Sequence, residues 1–270
     1  MSTSRTQGAI GVFDSGLGGL TVARALLETL PCESLLYVGD TARVPYGPKS
    51  PETVRRYASQ IAEWLVDEGV KAIVVACNTA TAHALDLLQQ ASPVPVIGVV
   101  DPGARAAVDA TPLGRIGVIG TAGTIASGAY ERAIHALRPD AEVLAQACAL
   151  FVPLVEEGWV DGEATRLIAH TYLAPMRAAG VRSLVLGCTH YPLLAPVIGR
   201  EMGPEVALID SAAETAAETA RVLQQHGIAA SAANVPHHRF IASDAPDRFL
   251  ALGRRFLGAT LADVEHVPFG

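Results

Sequence analysis

Short apolar runs alternate with helical patterns along this 270-residue chain. The run at 10–13 precedes an Ala/Leu-rich helical stretch at 20–30, and the run at 35–38 precedes another at 51–68. Further runs occupy 72–76, 96–100, 116–119, 143–147, 183–186 and 206–209. Strands that alternate with helices of this length predict an α/β fold built on a mostly parallel sheet with helices on both faces. In such sheets ligands bind beyond the carboxyl ends of the strands.

An internal repeat divides the chain. Asp14-Ser15 aligns with Gly120-Thr121, Cys77 with Cys188, and Asp101 with Asp210, at offsets of 106, 111 and 109 residues. Any parallel α/β chain repeats strand, loop and helix, so a chance alignment is the alternative, but the matched cysteines favour duplication. We therefore predict two similar α/β domains of about a hundred residues each, a usual size for a small domain.

The predicted domains are residues 1–100 together with 210–270, and residues 101–209. The run at 240–244 predicts a further strand and turn, followed by a helix at 249–256. This piece is too short to be a domain, so we expect it to pack on the first half and make that domain discontinuous. The polar, Ala/Ser-rich stretch at 227–238 predicts an exposed loop between the two parts.

Composition excludes several classes of function. The net charge is −7 with no basic stripe, which argues against a nucleic-acid partner. The most apolar runs are far shorter than the roughly 20 residues that a membrane span requires. Residues 1–8 are polar and lack the apolar core of a secretion signal, which predicts a cytoplasmic protein.

The four cysteines are predicted to be free thiols, since a reducing compartment disfavours disulfides. No CxxC or CxxH spacing is present, so we expect no metal. Lys49 and Lys71 are the only lysines, and neither is well placed for a pyridoxal phosphate Schiff base. We expect no cofactor.

Cys77 and Cys188 each end an apolar run and precede small polar residues. A thiol between a strand and a helix N-terminus lies at the positive end of the helix dipole, which favours the thiolate. We expect Asn78-Thr79 to cap one helix and Thr189 with Pro192 to open another. Free cysteines are more often buried and inert, and we accept that interpretation for the other two, Cys32 and Cys148.

A thiol acting as a base needs a partner that manages its proton. Asp14 ends the first predicted strand, and His190 lies two residues beyond Cys188. Glu156 is a candidate to orient His190, although the Glu156-Glu157 pair is otherwise typical of an exposed helix start.

Three loops are candidates to bind an anionic ligand. The Gly-rich stretch at 14–19 follows a strand, so its backbone N–H groups suit a small carboxylate better than a nucleotide. The turn at 45–48 can bring its backbone to a ligand, although it also fits an ordinary loop of turn-forming residues. Thr121 and Thr124 are candidate hydroxyl donors in the second half.

The chain closely resembles the cofactor-independent glutamate racemases of the aspartate/glutamate racemase superfamily. Six motifs over nearly the whole chain carry the resemblance: 13–19 (Phe-Asp-Ser-Gly-Leu-Gly-Gly), 37–40 (Tyr-Val-Gly-Asp), 45–47 (Pro-Tyr-Gly), 76–80 (Ala-Cys-Asn-Thr-Ala), 153–158 (Pro-Leu-Val-Glu-Glu-Gly) and 186–192 (Leu-Gly-Cys-Thr-His-Tyr-Pro). The resemblance implies two α/β domains related by a pseudo-twofold axis with the active site between them. It also implies interconversion of L- and D-glutamate for peptidoglycan synthesis.

Carried over residue by residue, the resemblance implies that Cys77 takes the α-proton of D-glutamate and Cys188 that of L-glutamate. Asp14 is implied to serve Cys77, and His190 with Glu156 to serve Cys188. The implied substrate-binding residues are Asp14, Ser15, Tyr46, Gly47, Asn78, Thr79, Thr124, Thr189 and His190. The thiols are matched in position but not in partner, which predicts unequal effects of replacing Asp14 or His190 according to the enantiomer supplied.

Other functions stay open at the level of sequence. One alternative is a racemase of the same superfamily acting on aspartate or another acidic amino acid. Another is a non-catalytic binding or redox-sensing protein. Family members are commonly homodimers and some bind DNA gyrase, and the sequence neither supports nor excludes either association.

Overall fold

The computed structural model describes residues 8–269. Two compact units divide the chain, with boundaries between Val99 and Val100 and between Ser211 and Ala212. The first unit consists of residues 8–99 and 212–269 of the described chain and is therefore discontinuous. The second unit is Val100–Ser211. That they are the domains of a duplicated fold stays a prediction. The polar stretch used to argue against a secretion signal lies almost wholly outside the described residues.

The first unit is built on a parallel sheet of six strands in the order β10-β9-β2-β1-β3-β4. Its strands are β1 (Ile10–Asp14), β2 (Leu35–Gly39), β3 (Ala72–Val75), β4 (Val96–Gly98), β9 (Arg239–Ala242) and β10 (Glu265–His266). Residues of β1, β2 and β3 are buried throughout, as expected for apolar runs covered on both faces.

Helices cover both faces of this sheet. One face packs against α1 (Leu20–Thr29), α10 (Ala212–Gln225) and α11 (Pro246–Leu257), and the other against α2 (Pro51–Asp67) and α3 (Asn78–Ala91). Local signals fix the start of α2, where Pro51 is the first helical residue and Ser50 Oγ accepts the N–H of Thr53 at 3.3 Å.

The second unit has a parallel sheet of four strands in the order β6-β5-β7-β8. The strands are β5 (Arg115–Gly120), β6 (Glu142–Ala147), β7 (Val181–Gly187) and β8 (Ala207–Ile209). The helices are α4 (Val100–Ala110), α5 (Ala122–Ala126), α6 (Ala129–Leu137), α7 (Phe151–Glu156), α8 (Glu163–Ala178) and α9 (Ala195–Met202). The sheet forms one core with α4 and α6 and another with α7, α8 and α9.

The two sheets share a strand order. In the first unit β2-β1-β3-β4 repeats the order β6-β5-β7-β8 of the second, so β1 corresponds to β5 and β3 to β7. Cys77 follows β3 and Cys188 follows β7, at equivalent points. The predicted α/β class with two parallel sheets flanked by helices is confirmed.

Three local predictions were wrong. The predicted strand at 96–100 ends at Gly98, because α4 starts at Val100 and accommodates Pro102 in its first turn. Asn78 and Thr79 are the first helical residues of α3 rather than its cap. The segment after Thr189 forms a 3-10 turn at Tyr191–Leu194 before α9 begins.

Residues 227–238 contain no helix or strand, but they are fastened to the loop before β2. Ala230 N donates to Glu33 Oε1 at 2.7 Å, and Asn234 Nδ2 donates to the carbonyl of Cys32 at 2.7 Å. Glu33 also forms an ion pair with Lys71 at 2.5 Å, and both side chains are buried. Lys71 therefore connects β3 to this segment.

Candidate active-site residues of the two units

Cys77 is the N-cap residue of α3. Its Sγ accepts the N–H of Ala80 at 3.5 Å and lies 3.7 Å from Ser15 Oγ, and the residue is buried. A thiol in this position faces the partial positive charge of a fourteen-residue helix, which stabilises the thiolate. The predicted strand-end, helix-start placement of Cys77 is confirmed, with the cysteine itself as the cap.

Asp14 ends β1, the strand next to β3, and is fully buried. Its Oδ2 accepts the N–H of Gly16 at 2.8 Å, which fixes the start of the Gly-rich loop. Gly19 is required in that loop, because a Cβ there would lie 2.5 Å from the Cβ of Asp14. Strand order reverses at β1 and β3, where doubly wound sheets bind ligands.

Tyr37 on β2 connects to both groups. Its hydroxyl donates to the carbonyl of Gly16 at 2.9 Å. Burial raises the pKa of Tyr37 well above its ordinary value, and the charges of Asp14 and Cys77 raise it further. The phenol therefore stays neutral and holds the Gly-rich loop. Sequence reasoning assigned it no role, although it belongs to the 37–40 motif at the end of a strand.

The turn at 45–47 is held by Asp40. Tyr46 is buried and its hydroxyl donates to Asp40 Oδ2, so the side chain is engaged within the protein. Burial raises the pKa of Tyr46, and the neighbouring Asp40 carboxylate raises it further. The Val44–Pro45 peptide is cis. Only backbone groups of Tyr46 and Gly47 are left to meet a ligand, in line with the sequence-based expectation.

Asn78 and Thr79 follow Cys77 in the first turn of α3 and are both buried. Together with Ser15 they give the first unit a set of buried polar residues beside a thiol. We call Asp14, Ser15, Cys77, Asn78 and Thr79 the Cys77 group.

In the second unit Cys188 lies directly after β7 and is buried. Its Sγ is 3.8 Å from Nδ1 of His190, while Nε2 of the same ring is 3.3 Å from Oε1 of Glu156. The His190 side chain is only 4% exposed, so Glu156 rather than bulk water faces its outer nitrogen. Sequence reasoning named these three residues together, and the structure places them in one chain of contacts.

Glu156 is the final residue of α7, which corrects the expected exposed helix start. The preceding residues Phe151, Val152, Leu154 and Val155 are buried, so α7 is anchored in the core of the second unit. A carboxylate on an anchored helix can orient an imidazole that is itself held next to a strand end.

Thr121 and Thr124 lie at the end of β5, the strand next to β7. Thr121 Oγ1 accepts the N–H of Thr124 at 3.2 Å, and the two hydroxyls are 3.0 Å apart. Thr124 and Thr189 are buried. We call Thr124, Cys188, Thr189, His190 and Glu156 the Cys188 group.

Cys188 differs from Cys77 in its helix. No long helix starts at Cys188, and its carbonyl instead accepts the N–H of Tyr191 at 3.0 Å in a tight turn. The predicted helix N-terminus is therefore present at Cys77 but was wrong for Cys188, which has the imidazole of His190 beside it.

Cys148 is a third buried thiol, close to Cys188. Burial raises the pKa of Cys148 to about 12, with a smaller contribution from the charge of Cys188. Its carbonyl accepts the hydroxyl of Tyr191 at 2.9 Å. A thiol that holds its proton to such high pH is inert at neutral pH, as predicted from the sequence.

Within residues 8–269, no helix combines the length and apolar composition that crossing a bilayer requires. Over the same range, no three or more His, Cys, Asp or Glu side chains are grouped in a way that could hold a metal ion.

Known proteins resemble this chain along nearly its whole length. A glutamate racemase of Geobacter metallireducens is 54% identical over 259 residues, which cover 96% of either chain. The crystal structure of glutamate racemase isoform RacE1 from Bacillus anthracis matches with a TM-score of 0.92 at 43% identity, over 98% of either chain. That of a Francisella tularensis glutamate racemase in complex with D-glutamate matches with a TM-score of 0.91 at 40% identity, over 97% of this chain and 98% of that one. The Asp/Glu/Hydantoin racemase family pattern matches residues 10–219, and the chain belongs to this family.

Proposed function

We propose that this protein is a glutamate racemase, an isomerase that interconverts L- and D-glutamate through two cysteines and without a cofactor. The observation that carries the proposal is the pair of buried thiols after equivalent strands, each with its own proton-managing neighbours, in a chain half identical to glutamate racemases. The D-glutamate formed would supply peptidoglycan synthesis, and the enzyme would act in the cytoplasm.

The reaction begins with proton removal. The thiolate of Cys77 takes the α-proton of D-glutamate, so the Cα–H bond breaks and an S–H bond forms, and the electron pair moves into the α-carboxylate. The thiol of Cys188 then donates its proton to the opposite face of Cα, which gives L-glutamate and leaves Cys188 as thiolate. The reverse direction exchanges the two roles, and no oxidant or reductant is consumed.

No cofactor withdraws the electron pair from Cα, so stabilisation of the charge on the α-carboxylate falls to groups around the substrate. Backbone N–H groups of the Gly-rich loop and hydroxyls of Ser15, Thr79, Thr124 and Thr189 are the proposed donors to the carboxylates. Asp14 is the proposed partner of the ammonium group and of Cys77. Asn78, Gly47, the Tyr46 backbone and His190 complete the proposed binding set.

His190 serves Cys188 in this proposal. Glu156 faces Nε2 and favours a proton there, which leaves Nδ1 directed at the thiol 3.8 Å away. The imidazole can then accept the proton of Cys188 or, when doubly protonated, stabilise its thiolate. Cys77 has Asp14 as its proposed partner, and the N-terminus of α3 with the N–H of Ala80 stabilises its thiolate.

The test is turnover of the purified protein followed by circular dichroism with L-glutamate, D-glutamate, L-aspartate and D-aspartate. We expect glutamate to be racemised much faster. The overall similarity to glutamate racemases supports glutamate over aspartate as substrate, and faster aspartate turnover would overturn that assignment.

Single replacements separate an enzyme from a binding or redox-sensing protein. Cys77→Ser and Cys188→Ser should each nearly abolish racemisation with the fold retained. The matched control is Cys32→Ser, because this partly exposed thiol lies in another loop, with its Sγ 3.7 Å from the carbonyl of Ala232. Full activity in either active-site variant would defeat the two-base mechanism.

The isotope content of product and substrate gives an independent test. In deuterium oxide the product should carry deuterium at Cα, because the donating thiol exchanges with solvent, whereas the remaining substrate should acquire little before inversion. Equal labelling of both from the earliest times would indicate a single base.

A further inference from the structure

We propose that residues 265–269, which we call the β10 segment, position the substrate loop at 45–47, with Phe269 holding Arg43 in place and Arg43 holding Asp40. The inference rests on the proposed function, since the loop is assigned to glutamate binding there. Phe269 is thus a positioning residue far along the chain from the loop it serves.

Asp40 is the centre of this arrangement. It is fully buried and accepts three side-chain donors. The hydroxyl of Tyr46 and Nε of Arg43, at 2.7 Å, both donate to Oδ2, and Ser243 Oγ donates to Oδ1 at 2.9 Å. Removing a donor from a buried carboxylate leaves an oxygen atom without a hydrogen bond, which is costly. The position of Tyr46 therefore depends on Arg43 and Ser243.

Arg43 is in turn held by aromatic rings. Its guanidinium carbon lies 4.2 Å from the ring centroid of Tyr57 and 5.7 Å from that of Phe269. Nη1 donates to Gln60 Oε1 at 2.5 Å, while Nη2 is buried without a hydrogen-bond acceptor among residues 8–269. The rings thus cover the part of the cation that oxygen atoms do not reach, which is a cation–π arrangement.

The β10 segment is itself anchored. β10 pairs with β9, Val267 N donates to the carbonyl of Ala242 at 3.1 Å, and the Phe269 ring meets Trp64 edge-on at 5.6 Å. His266 Nε2 lies 3.1 Å from the carbonyl of Ser243, the residue that donates to Asp40. The segment therefore reaches Asp40 by two routes, through Phe269 and Arg43 and through His266 and Ser243.

The loop at 45–47, which these contacts hold in place, lies near the reacting groups of the first unit. Tyr46 and Cys77 are both buried in the core that α2 and α3 form against the sheet of the first unit. The Tyr46 ring also packs on Tyr57 at 5.8 Å, beneath the same guanidinium. A shift of Arg43 moves the substrate-binding backbone of the loop but none of the groups that move the α-proton.

The variant that tests the proposal is Phe269→Ala. Loss of one ring from the cation should raise the KM for both glutamate enantiomers roughly fivefold to tenfold and leave kcat within about twofold. The control is Phe256→Ala, because Phe256 is another partly buried phenylalanine of the first unit that packs in the core containing α1 and α11. The control variant should lose stability without a change in KM. An unchanged KM in Phe269→Ala, or a loss confined to kcat, would overturn the proposal.

A double-mutant cycle tests the route through Arg43. In an Arg43→Ala background, Phe269→Ala should have no further effect on KM, since the contact it removes is already lost. The same KM factor in both backgrounds would refute the route. Phe269→Tyr keeps a ring over the cation and should restore the wild-type KM.

Hydrogen exchange gives a readout that does not depend on activity. Backbone amides at 41–48 should exchange faster in Phe269→Ala than in the wild type and in Phe256→Ala. If the wild type lacks glutamate turnover but this exchange pattern appears, the proposed function fails and the positioning stands. If Phe269→Ala leaves the exchange unchanged while the wild type racemises glutamate, the positioning proposal fails and the proposed function stands.

Discussion

Replacement of His190 by Asn tests the two-base assignment most directly. Asn fills much of the same space but carries no group that titrates near neutral pH. The imidazole is buried and lies 3.8 Å from Cys188 Sγ, whereas the Cys77 thiol caps α3 and has Asp14 as its proposed partner. The substitution therefore impairs one of the two proton transfers and leaves the other intact.

The size of the effect follows from the contact. An imidazolium and a thiolate separated by 3.8 Å attract each other by about 4 kcal/mol at an effective dielectric constant of about 20. At about 1.4 kcal/mol per tenfold in rate, this sets an upper limit near 10³-fold. Positioned acid–base groups usually contribute at least about 10²-fold. We expect kcat/KM to fall between about 10² and 10³-fold.

The fall must be the same in both directions. Enantiomers have equal free energies, so the equilibrium constant is one and kcat/KM for L- and D-glutamate must stay equal in every variant. The unequal effects predicted from sequence therefore appear in isotope effects instead. If Cys188 acts on L-glutamate, proton transfer by Cys188 becomes rate-limiting in His190→Asn. Deuteration at Cα should then slow the turnover of L-glutamate more than the turnover of D-glutamate.

The assay is circular dichroism at saturating and limiting concentrations of L- and D-glutamate, each either protiated or deuterated at Cα. His135→Asn is the matched control, because this histidine bonds at 3.0 Å to the carbonyl of Ala141, just before β6 and at the opposite end of the sheet from Cys188. Equal isotope effects from both enantiomers, or a kcat/KM within about twofold of the wild type, would falsify the assignment of His190 to Cys188.

Three further predictions concern stability, each measured by urea unfolding. The unfolded chain loses the Cys148 thiol proton near pH 8.5, whereas the folded state keeps it to about pH 12. The free energy of unfolding should therefore fall as pH rises through this window, by up to about 1.4 kcal/mol per pH unit. Cys148→Ala should flatten this dependence of stability on pH. Lys71→Met leaves the Glu33 carboxylate buried and should cost about 3–5 kcal/mol, with most of the loss recovered by adding Glu33→Leu; an unchanged midpoint in the single variant contradicts this. Gly39→Ala places a Cβ 2.4 Å from the Phe249 ring and should cost about 1–3 kcal/mol, partly restored by Phe249→Leu, and a neutral result would show that the ring moves freely.

Much of the fold could be predicted because its determinants are local. The buried runs at β1, β2 and β3 are continuous and largely apolar, and the polar residues that follow them mark the edge where parallel sheets bind ligands. Asp14, Cys77 and Cys188 are candidate site residues for this reason, and the structure places each of them at a strand end. His190 was found because it lies two residues from a thiol, and Glu156 through its motif.

Other features depend on contacts between residues distant in sequence. The stacking of Phe269 on Arg43 joins β10 to a loop after β2, and no local pattern encodes it. The start of α4 at Val100 depends on a buried N-terminus in which Val99 N meets Thr81 Oγ1 at 3.4 Å. The turn after Cys188 has the Pro and Thr of a helix start, and only the folded chain shows a 3-10 turn there. Such errors fall at element ends, where a single side-chain contact decides between two backbone paths.

The discontinuity of the first unit has a consequence for folding during synthesis. All strands of the second unit lie within Val100–Ser211, so a ribosome completes that unit before it has made β9, which pairs with β2. The second unit can therefore fold while the first is still missing an edge of its sheet. Until Ser243 and Phe269 have emerged, Asp40 lacks the hydroxyl of Ser243, and Arg43 lacks the ring of Phe269 beside its guanidinium. A nascent chain can thus assemble the Cys188 group before it gains the last contacts to Asp40, which hold the loop at 45–47 in the first unit.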